Sequence, residues 1–383
     1  MARINPEFSK KISKYGGFDL NACYNCGNCT AVCSLSDADN SFPRKMVRNS
    51  VLGLDKEIES SLDPWLCYYC GECSETCPRE ADPAALMMSL RRYLTSCYDW
   101  TGLAGKLYVS KIWEFGSILF LSALVLVLFI FFHGPMTTEL TADGGVKLNT
   151  FAPWEKIEIG DWLMAGVLSF FLLSNIFNMF LKVIVRNKEV KVPLKIYFTE
   201  IWNLVLHFVT QLQFSKCDSL ETGKKYNFNT YWIIHLLLVT GYVSMFTIIV
   251  VFLGWFQTDN IYDWWHPQRL IGYYATAALL IGLIYFSYSR LKKNKERSKK
   301  SHITDWTFIV LLFLTTITGI LVHIFRIYGL PMLTYYTYVF HLMVLFPMLM
   351  IEVPFSKWSH LAYRPLAMYF NAVIKASKNV KKK

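Results

Sequence analysis

Cys23-Tyr24-Asn25-Cys26-Gly27-Asn28-Cys29-Thr30-Ala31-Val32-Cys33 packs four cysteines into one short stretch. The same spacing returns at Cys67-Tyr68-Tyr69-Cys70-Gly71-Glu72-Cys73-Ser74-Glu75-Thr76-Cys77, there followed by Pro78. C-x2-C-x2-C-x3-C, written twice, is the run that holds 4Fe–4S cubanes in two-cluster ferredoxins, where the fourth thiolate of each run reaches the other cluster. The reading therefore assigns Cys23, Cys26, Cys29 and Cys77 to one cluster, and Cys67, Cys70, Cys73 and Cys33 to the other. Gly27 and Gly71 let the backbone turn closely around a cluster. Structural zinc is the alternative, but zinc sites set two cysteine pairs apart by a longer loop. The first run ends in Cys33-Ser34 where the second has Cys77-Pro78, which changes local geometry and not ligand number. Cys97 and Cys217 stand alone and read as ordinary thiols.

The rest of the chain has a different solvent. Of 383 residues, 54% are hydrophobic and only 17% charged, too apolar for an ordinary soluble protein. Six apolar runs are expected to cross a bilayer as helices: Ile112–Phe132, Trp162–Val185, Tyr231–Phe256, Leu270–Ser289, Trp306–Phe325 and Tyr336–Pro354. Each is near the ~20 residues a crossing needs. Trp162, Trp232, Trp264, Trp265, Trp306, Tyr335 and Tyr336 fall at the span ends, as an aromatic belt requires. The fold class expected is mainly α: an α-helical dicluster ferredoxin-like domain followed by a six-helix membrane bundle. The expected divisions are residues 1–96 for the cysteine domain, 97–111 for a linker, 112–356 for the bundle and 357–383 for a basic tail. Within the first, Pro43–Gly53 has helical spacing with a terminal glycine. Asp82-Pro83 reads as an N-cap opening a helix toward Tyr93.

The net charge of +11 sits between and after the apolar runs, which excludes a nucleic-acid footprint and points to topology. The connection RLKKNKERSKKSH (290–302) and the tail from Lys357 are basic, whereas the connections after the first and third runs carry Glu139, Asp143, Glu155, Glu158, Asp161, Asp259 and Asp263. The positive-inside rule then expects a multi-pass protein of the cytoplasmic (inner) membrane with both termini and the cysteine domain in the cytoplasm. The opening MARINPEFSKK has no apolar h-region, in keeping with an N-terminal segment that stays there. Residues 187–229 read as a basic connection with an amphipathic stretch at Ile196–Phe208. Clustered cysteines in a reducing compartment bind metal rather than form disulfides.

Histidines inside spans need a reason, and in a chain with clusters the natural one is axial ligation of b-type haem. His266 and His323 are expected at similar depth near the outer face, where they could share one haem. His341 is deeper and could share a second with His235, given helix tilt to close a depth mismatch. A hydrogen-bonded packing role is the competing reading for each. His207 and His302 read as surface residues. His133 and His360 flank the first and last spans.

ACYNCGNCTAVC, FPRKMVRNSVLGL and PWLCYYCGECSETCPREADP resemble the iron–sulfur C subunit of heterodisulfide reductase. Asp305-Trp306 to Gly319, Tyr338-Val-Phe-His341 and Pro354-Phe-Ser-Lys357 through Pro365 resemble the cytochrome b E subunit and the nitrate reductase gamma family. The fusion is similar to the C subunits of quinone-interacting membrane-bound oxidoreductase complexes. The resemblance implies two 4Fe–4S clusters, two haems b and a menaquinone-type quinone. It also implies cytoplasmic flavin and iron–sulfur partners resembling heterodisulfide reductase A, with electrons exchanged with adenylylsulfate reductase. It carries one haem pair onto His235 and His341. The second ligand of the other haem falls on Met245 in the relatives' pattern, with His266 as the substitute.

The function expected is electron transfer between a quinone pool and cytoplasmic partners, in a quinone-dependent oxidoreductase. No substrate chemistry is expected of this chain on the cytoplasmic side. There is no G-x-G-x-x-G fingerprint and no P-loop. The alternatives are a haem-free anchor for a ferredoxin domain, a member of another heterodisulfide-reductase-like complex, and a transporter. Against the last, the spans hold almost no acid besides Glu352 and show no inverted repeat.

Overall fold

The computed structural model describes residues 4–16, 20–38, 40–187, 191–212, 230–293 and 296–382. Cys217 and part of the expected 187–229 connection lie outside them. The described residues are helical throughout, with isolated bridges at Asp37–Asn40 and Leu140–Val146 and no strand.

Six helices are long and apolar enough to cross a membrane. They are Lys111–Phe132 (span 1), Trp154–Val185 (span 2), Thr230–Val251 (span 3), Pro267–Lys292 (span 4), Ile303–Ile327 (span 5) and Pro331–Phe355 (span 6). Span 1 leaves Ile112, Leu119, Phe120 and Phe131 exposed, a surface that suits lipid rather than water. Span 2 starts two turns before the expected Trp162, because Glu155, Glu158 and Asp161 continue the helix instead of forming a loop. Spans 3 and 4 nest closely: a methyl group on Gly241 would lie 2.8 Å from Ala278 Cβ and 3.0 Å from the Ala275 carbonyl oxygen. Without a hydrophobic drive between helices in lipid, such small residues permit the backbone approach that packing needs.

The cysteine domain is a set of short helices around a longer one, Pro83–Tyr98. Asp82 caps it as expected, accepting from Ala85 N–H at 3.0 Å, and the helix runs past Tyr93 to Tyr98. The expected helix after Pro43 spans Arg44–Val51. The stretch expected to be a plain linker carries its own helix, Leu103–Val109. Its Ala104 and Leu107 pack on Ile351 and Phe355 of span 6.

This domain is seated on one end of the bundle by buried contacts. Trp65, Tyr98 and Tyr363 are all nearly inaccessible, with Tyr363 centred 5.1 Å from Trp65 and 5.4 Å from Tyr98. Each such aromatic pair contributes ~0.5–1.5 kcal/mol beyond its buried area. Lys182 pairs with Glu59 at 2.9 Å, and Asn178 donates to the Tyr98 carbonyl at 3.0 Å. Arg92 reaches Asp305 of span 5 at 3.1 Å, and Lys357 pairs with the other oxygen of that carboxylate. At the opposite, far end the loops interlock through Val146 N–H to the Arg326 carbonyl and through Asn149 with Gln257 and Asp259.

Candidate redox centres

The two cysteine runs fold alike. Asn25 and Tyr69, two residues after the first cysteine of each run, have φ of 56°. Gly27 and Gly71 then take φ of 90° and 97° and start the helices that carry Cys29 and Cys73. Left-handed glycines curl each run so that its thiols face inward. Backbone amides donate to sulfur: Asn25 to Cys23 and Tyr69 to Cys67, both at 3.3 Å, and Ala81 to Cys77 at 3.4 Å. The side chain of Asn28 donates to the Thr76 carbonyl at 2.6 Å and pins one run to the other.

Cys23, Cys26, Cys29 and Cys77 line one small cavity of about 30 Å³, with Arg44 and Arg79 at its wall. On the other side Cys33 has Cys67 and Cys70 as charge neighbours, and Cys73 has Cys67, Cys70 and Cys33. Burial, then these neighbours, push Cys33 up to about 12. Burial and mutual repulsion keep these groups as thiols, and a bound cation would draw out the thiolates. No trio of His, Cys, Asp or Glu among the described residues is set to hold a single metal ion. Thiols spread around a void suit a polynuclear cluster. Cys26 is exposed and Cys67 and Cys73 are buried, so the first set lies toward solvent and the second toward the membrane.

Two buried arginines close the second set from behind. Arg91 donates to the Pro64 carbonyl at 2.7 Å and to that of Cys67. Arg364 donates to the Cys67 carbonyl at 3.1 Å and to that of Trp65 at 3.3 Å. Both also line a cavity of about 160 Å³ at the domain–bundle junction, with His235, His360 and Trp358. Arg92, Arg290, Lys300 and Lys357 add positive charge to its wall against a single carboxylate, Asp305.

In this junction cavity the rings of His235 and His360 approach edge-on, with centres 6.3 Å apart and planes at 68°. Two metal–imidazole bonds of about 2 Å, plus roughly 1.1 Å from each nitrogen to its ring centre, give about 6 Å. The pair has the spacing of two axial ligands on one iron. Their Nδ1 atoms are engaged: His235 with Gln211 Oε1 at 2.6 Å and His360 with the Lys357 carbonyl. An Nδ1–H donated to an oxygen puts the lone pair on Nε2 and fixes the ring. Burial, then the Lys357 charge, hold His360 well below the ordinary histidine range, so it presents neutral imidazole. His207, expected on the surface, instead borders a small adjoining void with both rings.

The second cavity is larger, about 440 Å³, and lies toward the far end among spans 2 to 6. His341, His323 and Met245 line it. His341 Nδ1 meets Thr318 Oγ1 at 2.9 Å. That hydroxyl donates its own proton to the Leu314 carbonyl at 2.7 Å, so it accepts from the histidine and leaves Nε2 as the lone-pair nitrogen. Gly319 makes room for the ring, since a methyl group there would lie 3.3 Å from His341 Cε1. His323 is held by Arg269 Nη1, at 3.0 and 2.9 Å from its two ring nitrogens, and by Tyr273 Oη at 3.3 Å. An arginine only donates, so it competes with iron for the His323 lone pair. Met245 and Met348 are the thioether donors in the lining of this cavity, and the Met348 sulfur already accepts from Thr315 Oγ1 at 3.8 Å.

Two expected pairings are not brought together. His235 and His341 line different cavities, one at the junction and one toward the far end. The depth mismatch between the second turn of span 3 and the third turn of span 6 is not closed by tilt. His266 stacks on Tyr262 with ring centres 4.0 Å apart, at the N-terminus of span 4, and does not line the cavity that holds His323. His360, which the sequence reading set only beside the last span, is the ring the structure brings to His235. The signal available was its place just past span 6 on the same side as the start of span 3.

Residues 19–81 match the 4Fe-4S dicluster domain family. The cysteine domain is similar to a protein of Archaeoglobus profundus that is itself like the heterodisulfide reductase C subunit, 29% identical over 112 residues, which is 29% of this chain and 59% of the relative. It is similar to the C subunit of the H(2):CoB-CoM heterodisulfide,ferredoxin reductase of Methanothermobacter marburgensis, 39% identical over 77 residues, 20% of this chain and 42% of the relative. It is also similar to an iron-sulfur C subunit, the second of its kind, of the CoB--CoM heterodisulfide reductase of Methanocaldococcus jannaschii, 38% identical over 96 residues, 23% of this chain and 51% of the relative. The chain thus spans about half the length of the curated relatives it matches. No solved structure matches it. The chain carries an N-terminal 4Fe–4S dicluster domain similar to the heterodisulfide reductase C subunit, an electron-transfer module, joined to six candidate membrane spans.

Proposed function

We propose that the chain is a membrane electron-transfer subunit that exchanges electrons between a menaquinone-type quinone pool and cytoplasmic flavin and iron–sulfur subunits. Adenylylsulfate reductase is the terminal partner the resemblance implies. The observation that carries this reading is the edge-on pair His235–His360 beside the arginines that hold the Cys67 carbonyl. Haem b and 4Fe–4S clusters, when bound, take up and pass on single electrons. The chain's residues set their order. His341 with Met245 would hold the haem toward the far end, and His235 with His360 the one at the junction. Tyr242 of the larger cavity packs against Trp358 of the junction cavity. Arg91, Arg364 and Lys357 would neutralise haem carboxylates, and the two arginines continue to the buried cysteine set. Cys67, Cys70, Cys73 and Cys33 would hold the inner cluster; Cys23, Cys26, Cys29 and Cys77 would hold the outer one. Exposed Cys26 and Tyr24 mark the edge where a partner subunit takes the electron. The acidic far loops and basic connections support a cytoplasmic cysteine domain.

The test is iron, sulfide and pyridine-haemochrome analysis of the purified chain, with oxidised and dithionite-reduced spectra. Two cubanes and two haems b per chain are expected. Clusters without haem would leave only an anchor. Cys77→Ser separates the ligand sets: it should damage the cluster toward solvent, shared with Cys23, Cys26 and Cys29, and spare the buried one in electron paramagnetic resonance. Damage to the buried cluster alone would mean that each run serves its own cube.

A further inference from the structure

We propose that Asp161 is the proton acceptor of a hydroquinone-oxidising site at the far end of the larger cavity. Glu158 and Glu155 conduct its protons to the surface opposite the dicluster domain. The inference rests on the quinone reading above and gives it a place and a base.

Asp161 is only 8% exposed, lines the cavity, and has a buried Oδ2 with no hydrogen-bond partner among the described residues. A carboxylate inside a span, aimed into a mostly apolar void, is costly and calls for a function. Among the described residues neither arginine of this cavity forms an ion pair with Asp161. Arg269 holds His323, and Arg326 donates to the Thr258 and Asn260 carbonyls near Asp259. From span 6, Tyr338 faces the same space and donates its hydroxyl to Gln257 Oε1 at 2.9 Å. Tyr273 of span 4 is turned to His323, and Tyr242 is the titratable group that span 3 contributes to the lining. The polar end of the cavity therefore offers one unpaired proton acceptor beside a tyrosine–glutamine pair suited to a quinol oxygen.

The route outward is written on span 2. Glu155, Glu158 and Asp161 follow at three-residue spacing on one helical face. Their burial is graded, from exposed Glu155 through half-buried Glu158 to buried Asp161. Oxidation breaks both O–H bonds of the hydroquinone. Its two electrons would be taken up one at a time by the haem that His341 would hold, as the one-electron acceptor, and would leave through the iron–sulfur clusters. Each proton goes to the Asp161 carboxylate, then by Glu158 and Glu155 to water, and the quinone returns to the bilayer.

The test is stopped-flow reduction of the haem in the full, cofactor-loaded chain by 2,3-dimethyl-1,4-naphthoquinol across a pH series. Asp161→Asn should slow reduction by about a hundredfold, the scale of a lost general base, with the dithionite-reducible haem unchanged and the rise of rate with pH removed. Asp161→Glu should restore most of the rate. Wild-type rate and pH profile in Asp161→Asn would overturn the assignment while the quinone reading stands. If the wild-type haem responds to dithionite and not to the quinol, the quinone reading falls and takes this one with it. Should Asp161→Asn lose haem, Glu158→Gln decides: slower quinol oxidation with a shifted pH profile supports the route, and an unchanged profile overturns it.

Discussion

On the haem assignment proposed above, alanine at His360 should remove about half of the b-type haem absorbance and leave both iron–sulfur signals in place. The expectation follows from the 6.3 Å separation of the His235 and His360 ring centres and from the tautomers their Nδ1 partners impose. With one imidazole gone, a haem held at the junction would keep a single histidine and be easily lost, while the cysteine runs are untouched. Added imidazole should enter the void and restore a low-spin spectrum, which a merely structural histidine would not allow. His341→Ala should remove the other half, and the two losses should add, because the rings line separate cavities. A His235–His341 pairing makes the opposite forecast. If those two shared one haem, alanine at either would remove the same half, and His360→Ala would leave the spectrum alone. Full haem content in His360→Ala would end the junction assignment.

What the sequence made legible was local. Cysteine spacing is a matter of a few residues of backbone, so both runs and their glycines could be read directly. The left-handed Gly27 and Gly71 stand where the spacing needs them. Apolar runs set six spans because helix length against bilayer thickness is a one-dimensional question. The start of span 2 was missed for a related reason. Glu155, Glu158 and Asp161 look like a loop to hydropathy, yet they extend the helix of span 2.

The histidine pairs were tertiary and were read from depth in straight helices. That arithmetic fails at the end of span 6. The chain breaks at Ser356, with φ of −130° and ψ of −142°, and turns through Lys357–Ser359 before a new helix begins at His360. Glu352 accepts the Lys357 amide at 2.9 Å and fixes the turn. The turn brings His360 against span 3, where no count along span 6 would put it. His266, read at the outer mouth of span 4 beside His323, instead stacks on Tyr262 outside the cavity that His323 lines.

Alanine at Asp305 should be among the most destabilising single changes in the chain. Its carboxylate is 3% exposed and sits between Arg92, at 3.1 Å, and Lys357, while also accepting the His302 amide at 3.1 Å as the cap of span 5. Removing the centre of a buried ion triad leaves unpaired charge and costs about 3–5 kcal/mol. The two cations do not share that cost equally. Burial already pulls the Lys357 ammonium down to about 8, with Asp305 pulling it back up. Without the carboxylate it falls further, so the lysine escapes by losing its proton near neutral pH. Arginine has no such exit. Arg92→Met should therefore rescue the thermal midpoint of Asp305→Ala more than Lys357→Met does. Replacing all three with apolar residues of similar volume should come close to wild-type stability. Equal rescue by the two single partners would mean that Lys357 stays charged in the variant. No loss in Asp305→Ala would show that the other contacts hold the dicluster domain to the bundle, among them the Trp65–Tyr98–Tyr363 cluster and the Lys182–Glu59 pair.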